Sequence, residues 1–213
     1  MKKIIFADIP MKEVTFEHDS VCYAETGNAG CSYKEKVIFP INAVLAEKLK
    51  KDDEVKVVLL KTVTEKGHSG TNAGIFQQEL DKINAQIGAH ISYETIDTDF
   101  VETKQSHERR LRAMLSKMEE DVELYADITF GQKPLPMVLM CVLNFAEKFF
   151  NADIKKIVYG KVEFVKHEDG KACLENPELY DVTSLYYLNN LMGAMEASSG
   201  KEALKVLDTF FAL

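Results

Sequence analysis

Residues 124–150 read Leu124-Tyr125-Ala126-Asp127-Ile128-Thr129-Phe130-Gly131-Gln132-Lys133-Pro134, then Leu135-Pro136-Met137-Val138-Leu139-Met140-Cys141-Val142-Leu143-Asn144-Phe145-Ala146-Glu147-Lys148-Phe149-Phe150. The apolar run 124–128 predicts a buried strand. Gly131 marks a turn, and Pro134 opens a long apolar helix over 135–150, because proline is favoured where a helix's first N–H has no partner anyway. Gly131-Gln132-Lys133 is then a strand-to-helix turn at the carboxyl end of a strand, where open α/β sheets bind ligands. A helix N-terminus presents free N–H groups and a partial positive charge, so it suits an anion. Lys133 is unfavourable there by roughly 0.3–1 kcal/mol unless an anion reverses the sign. Otherwise it is a solvated lysine at the lip of an ordinary βα turn.

Working outward, residues 3–9 form an apolar first strand fit for a sheet centre. After Pro10 comes a polar excursion, in which strand-like pieces 20–24 and 36–39 flank Gly27-Asn28-Ala29-Gly30, and a hairpin inserted after the first strand is expected. Loops after strands face the ligand crevice in this topology, so Ile9, Pro10, Met11 and the Gly27 turn are candidate walls. Residues 41–51 predict a helix. The nearly unbroken Val55-Lys56-Val57-Val58-Leu59-Leu60 within 54–63 implies a strand buried on both faces of a parallel sheet. The glycine-containing stretch 65–74 has neither phosphate-loop fingerprint, and Thr71 or Asn72 is expected to cap the following helix. Strand 90–96 and helix 103–118 follow, the latter with Lys104, His107, Arg109, Arg110 and Arg112 on a solvated face, a nucleic-acid or partner patch being the less favoured reading. Strands 154–166 and 171–174 flank the turn Glu168-Asp169-Gly170, and Asp181-Val182-Thr183-Ser184 caps a late helix, Thr183 or Ser184 being the preferred cap. The fold class is α/β and Rossmann-like: a mostly parallel central sheet flanked by helices, with the hairpin insertion after the first strand and a C-terminal hairpin plus helices. One ligand-binding domain spans 1–213, with a core over 1–183 and C-terminal helices over 184–213.

The spacing Asp127-x-Thr129-x-Gly131-x-Lys133 after a strand resembles the D-x-[ST]-x-G-x-K signature of CARF domains, the CRISPR-associated Rossmann-fold sensors of cyclic oligoadenylates in type III systems. Ile157-Val158-Tyr159-Gly160-Lys161 and Tyr180-Asp181-Val182-Thr183 sit where such domains have comparable segments. The resemblance implies binding of a cyclic tri-, tetra- or hexa-adenylate by Asp127, Thr129, Phe130, Gly131, Gln132 and Lys133, and a role in antiviral defence. Some such domains also open the ring without a metal, a ribose 2′-OH attacking the adjacent phosphate. Here Lys133 and Thr129 would be the catalytic pair, Lys133 neutralising the phosphate while Asp127 braces the turn. Binding alone, with the signal passed to a fused or separate effector, stays open, as does a stand-alone domain against a piece of a longer effector. An unrelated mononucleotide- or dinucleotide-binding Rossmann enzyme is disfavoured, since the first strand lacks a glycine fingerprint.

Composition narrows the partners. The 213 residues carry 26 basic and 34 acidic side chains, a net charge of −8, so no broad attraction to duplex nucleic acid is expected. The four cysteines form no C-x-x-C pair; reduced thiols in a cytoplasm are expected, with no metal site and no cofactor. The longest apolar run is about a dozen residues, short of the roughly 20 that cross a bilayer. Being apolar nearly all round, helix 135–150 is expected to be buried on two sides, against the sheet and against either a second copy in a homodimer or the C-terminal helices.

Overall fold

The computed structural model describes residues 1–166 and 172–212. Strands β1 (Lys2–Ile9), β2 (Glu54–Val63), β3 (His90–Asp99), β4 (Glu123–Asp127), β5 (Asp153–Lys166) and β6 (Ala172–Asp181) form one sheet in the order β3-β2-β1-β4-β5-β6. β1 to β5 run parallel, and β6 lies antiparallel to β5 at the edge. This is a Rossmann-like α/β fold. The expected turn at Glu168-Asp169-Gly170 lies outside the described residues.

Burial follows the sequence pattern. β1 and β4 are covered on both faces, as continuous apolar runs require, whereas edge strand β3 is mostly exposed or half-buried. Helices α1 (Pro40–Lys48) and α2 (Ser69–Asn84) pack on one face, over Ile5, Ala7, Ile9, Val57 and Leu59. Strand alternation sends Ile4, Phe6 and Asp8 to the opposite face. There α3 (Lys104–Leu115) and α4 (Leu135–Phe149) pack together, burying Met114, Val138, Leu139, Val142 and Leu143.

The chain divides after Thr183 into two compact units. The second carries most of α5 (Thr183–Ala194) and all of α6 (Gly200–Phe211). α6 is capped by Ser199, whose Oγ accepts from Glu202 N at 3.3 Å, and leaves Leu204, Phe210 and Phe211 exposed.

Four expectations are corrected. The excursion after β1 is not a hairpin: its two pieces meet in a single antiparallel bridge, Val21 to Val37. Its polar groups bond the β6 edge instead. Asn28 N and Ala29 N donate to Leu179 O at 3.1 Å, and Asp181 N donates to Asn28 Oδ1 at 2.7 Å. The Gly27 turn, expected to wall the crevice, thereby seals an edge strand against unwanted pairing. Asn72 does not cap α2; it clamps the loop after β1, its Nδ2 donating at 2.8 Å to both Pro10 O and Lys12 O. Finally, Arg110 is not on the solvated face of α3 but is 2% exposed.

Candidate functional site at the carboxyl ends of β1 and β4

β1 is followed in the sheet by β2 on one side and β4 on the other, so the strand order reverses between β1 and β4. A crevice opens at such a point, and residues 128–134 lie across it. Asp127, at the end of β4, is 1% exposed. Its Oδ1 accepts from Thr129 N at 2.8 Å and its Oδ2 from Ile41 N, in the first turn of α1, at 3.2 Å. Burial pushes this carboxyl up to about 6, against the pull of the hydrogen bonds from Thr129 and Ile41. Thr129 Oγ also accepts from Gly160 N at 2.8 Å. Asp127 and Thr129 thus pin the turn to α1 and β5, and the Thr129 hydroxyl is engaged by two partners.

Gly131 has φ +85°, and a Cβ there would stand 3.0 Å from Asp8 Oδ2. Both the backbone conformation and the close carboxylate call for glycine. Gln132 turns inward, 6% exposed, and its Oε1 accepts from Arg110 Nη2 at 2.8 Å. Arg110 also donates to Asp99 O at 2.8 Å and pairs with Glu102 at 3.0 Å, joining the end of β3 to the turn. Lys133 is exposed and forms no ion pair among the described residues.

The helix start differs from expectation in a useful way. Pro134 is the N-cap and Pro136 lies at the second helical position, with no side chain capping α4 and no acid in its first turn. Both prolines lack an N–H where one would be orphaned. Ahead of them, the main-chain N–H groups of Phe130, Gly131, Gln132 and Lys133 make no hydrogen bond among the described residues. Unbonded N–H groups ahead of a helix N-terminus are the donors that anions use at such helix starts.

Of the expected walls, Ile9 is wholly buried in the core and has no surface to offer a ligand. Alternation along β1 directs it under α2, which corrects that assignment. Met11 is held through its carbonyl, which accepts from His68 N at 2.9 Å. Pro10 does line a cleft of about 340 Å³, bounded also by Lys12, Thr129, Phe130, Tyr159 and Phe164.

Sequence reasoning missed Asp8. It is 1% exposed, and neither carboxylate oxygen has a partner among the described residues. Burial first, then the neighbouring Asp127, drives its carboxyl well above the usual range. The signal was present: one charge in the apolar run Ile4-Ile5-Phe6-Ala7-Asp8-Ile9. Glu79 was missed as well. It is 5% exposed and accepts from Ile38 N at 2.7 Å, Phe39 N at 3.2 Å and Asn42 Nδ2 at 2.9 Å. Its position among Phe76, Leu80 and Ile83 on the buried stripe of α2 was the clue.

Among the described residues no group of three metal-ligating side chains occurs, and no helix is long and apolar enough to cross a membrane. Cys22, Cys31, Cys141 and Cys173 are free thiols. The sequence matches no family model and no curated protein. Fold and geometry therefore define the class: a Rossmann-like domain whose topological switch point carries a turn with four main-chain N–H groups unbonded among the described residues.

Proposed function

We propose that the chain binds a phosphate-bearing nucleotide at the turn between β4 and α4, and that this ligand is a cyclic oligoadenylate second messenger of CRISPR antiviral signalling. One observation carries the reading: the four consecutive N–H groups from Phe130 to Lys133, unbonded among the described residues, at an uncapped helix N-terminus beside Lys133, which forms no ion pair among them. A net charge of −8 leaves recognition of an anion to such a local site. The resemblance of Asp127-x-Thr129-x-Gly131-x-Lys133 to the CARF signature supplies the identity of the ligand.

Binding without ring opening is favoured over cleavage by the state of Thr129. Its hydroxyl is occupied by Gly160 N and the Asp127 carboxylate, which leaves Lys133 as the one free charged side chain of the turn. The reading also makes the protein a homodimer. α4 exposes Met137, Cys141, Phe145 and Phe149 at four-residue intervals, Met137 being 72% exposed, and a two-fold axis along this stripe would bring two turns near one ligand.

The test is titration of the pure protein, and of Lys133→Ala, with labelled cyclic tri-, tetra- and hexa-adenylate without added metal. Loss of a charge-assisted bond of about 1.5–3 kcal/mol predicts a roughly 10- to 150-fold weaker complex for the variant. Linear product from the wild type restores the ring-nuclease reading. No binding of any ring removes the proposal. Sedimentation of Met137→Glu reports the dimer separately.

A further inference from the structure

Tyr23 and Phe164 both line the cleft beside the turn. Tyr23 is 3% exposed, it lines the cleft, and its hydroxyl forms no hydrogen bond among the described residues. Tyr23 lines the cleft, so its hydroxyl is available to a ligand that enters it. Phe164 stands on the far side, on the part of β5 that extends past the end of β4, and is 69% exposed. Lys12 Nζ lies over this ring, 5.4 Å from its centroid, so a flat base stacking there would take the place of the ammonium group. The space between, about 340 Å³, falls at the small end of ligand pockets, roughly 300–1,000 Å³.

We propose that this cleft is a base subsite, in which a heteroaromatic base of the ligand stacks on Phe164 and hydrogen-bonds the Tyr23 hydroxyl. The proposal rests on the reading of the turn as a phosphate site, because Thr129 and Phe130 belong to both. A base in the cleft places its attached sugar and phosphate toward the free N–H groups. Lys12, displaced from the ring, meets that phosphate from the opposite lip. The loop bearing Lys12 is held for this purpose by Asn72, and the Tyr23 ring is fixed against Gly160, where an added Cβ would come 3.1 Å from the hydroxyl.

The experiment compares wild type, Phe164→Ala and Tyr23→Phe by calorimetric titration with the cyclic adenylates and with adenosine, which carries no phosphate. Phe164 is exposed and Tyr23→Phe removes a single atom, so both variants fold; unchanged melting curves check this. Stacking on one aromatic ring predicts roughly 5- to 150-fold weaker ring binding for Phe164→Ala. One neutral hydrogen bond predicts about 3- to 10-fold for Tyr23→Phe. Adenosine binds the wild type weakly, and both variants lose it. Ring binding that depends on Lys133 yet is untouched in both variants overturns the base subsite and leaves the phosphate reading standing. Adenosine binding lost in both variants, with no ring bound, upholds the subsite and overturns the phosphate reading. Failure of the wild type to bind either probe overturns both.

Discussion

Asp127→Asn separates the structural work of the turn from its charge. In the wild type the carboxyl titrates at about 6 rather than its ordinary 3.8 because it is buried. The folded state therefore holds its proton to higher pH than the unfolded chain, and it binds more protons between about 4 and 6. Stability falls as pH rises through that window and the loss is complete above it. At about 1.36 kcal/mol per tenfold change in proton affinity, the full effect is about 3 kcal/mol. An asparagine cannot titrate and removes this slope. It keeps one acceptor for the N–H of Thr129 or Ile41 and turns an NH₂ toward the other, a cost of roughly 1–3 kcal/mol at every pH. The variant is thus expected to be less stable than wild type by about 1–3 kcal/mol at pH 4 and equal or slightly more stable at pH 7. Urea unfolding at half-unit steps from pH 4 to 8 measures the difference. A variant-minus-wild-type free energy constant to within about 0.5 kcal/mol across that range would refute the reasoning.

Three further substitutions probe the framework. Gly131→Ala forces a Cβ into the left-handed region and to 3.2 Å from Asp8 Cγ. A loss of about 1–2 kcal/mol in thermal unfolding is expected, and an unchanged melting temperature would contradict the geometry. Gly27→Ala places a Cβ 2.1 Å from Leu179 O, a main-chain atom held in β6. The excursion should detach, read as new limited-proteolysis cuts between residues 20 and 35. Arg110→Met removes the bonds to Gln132 and Asp99 O but leaves Glu102 half exposed and able to solvate. About 2–3 kcal/mol should be lost in urea unfolding, and a neutral result would show that the turn does not need its tie to β3.

Residues with a local signature were legible. The unbroken apolar run of β2 and the strand–glycine–proline–helix order around Asp127 report on neighbours within a few positions, and both elements form where the sequence places them. What could not be read were bonds between residues far apart in the chain. Asn72 has the composition of a helix cap, and only the fold shows that its amide spans some sixty residues to Pro10 and Lys12. Arg110 reads as one more cation in a basic run, although its four-residue spacing to Met114 placed it on the buried stripe. The hairpin expected after β1 failed because turn chemistry fixes a bend, not the partner of the strands around it. β6 offered carbonyls that the excursion's own pieces did not.

Two buried acids beneath the proposed anion site look contradictory, yet the geometry reconciles them. Asp127 faces α1, and its negative charge is met by the N–H groups of Ile41 and Thr129. It stiffens the turn from below instead of facing a ligand. Asp8 lies on the other face of the sheet under Gly131, with no donor among the described residues to stabilise its charge. Burial and the neighbouring Asp127 favour its neutral form, so it adds bulk under the turn with little repulsion of what sits above. Under the proposed reading, affinity for an anion would be set by the four main-chain N–H groups and Lys133, held in place by side chains that face inward. A site so built would work by pre-organisation, which is how an acidic protein could carry it.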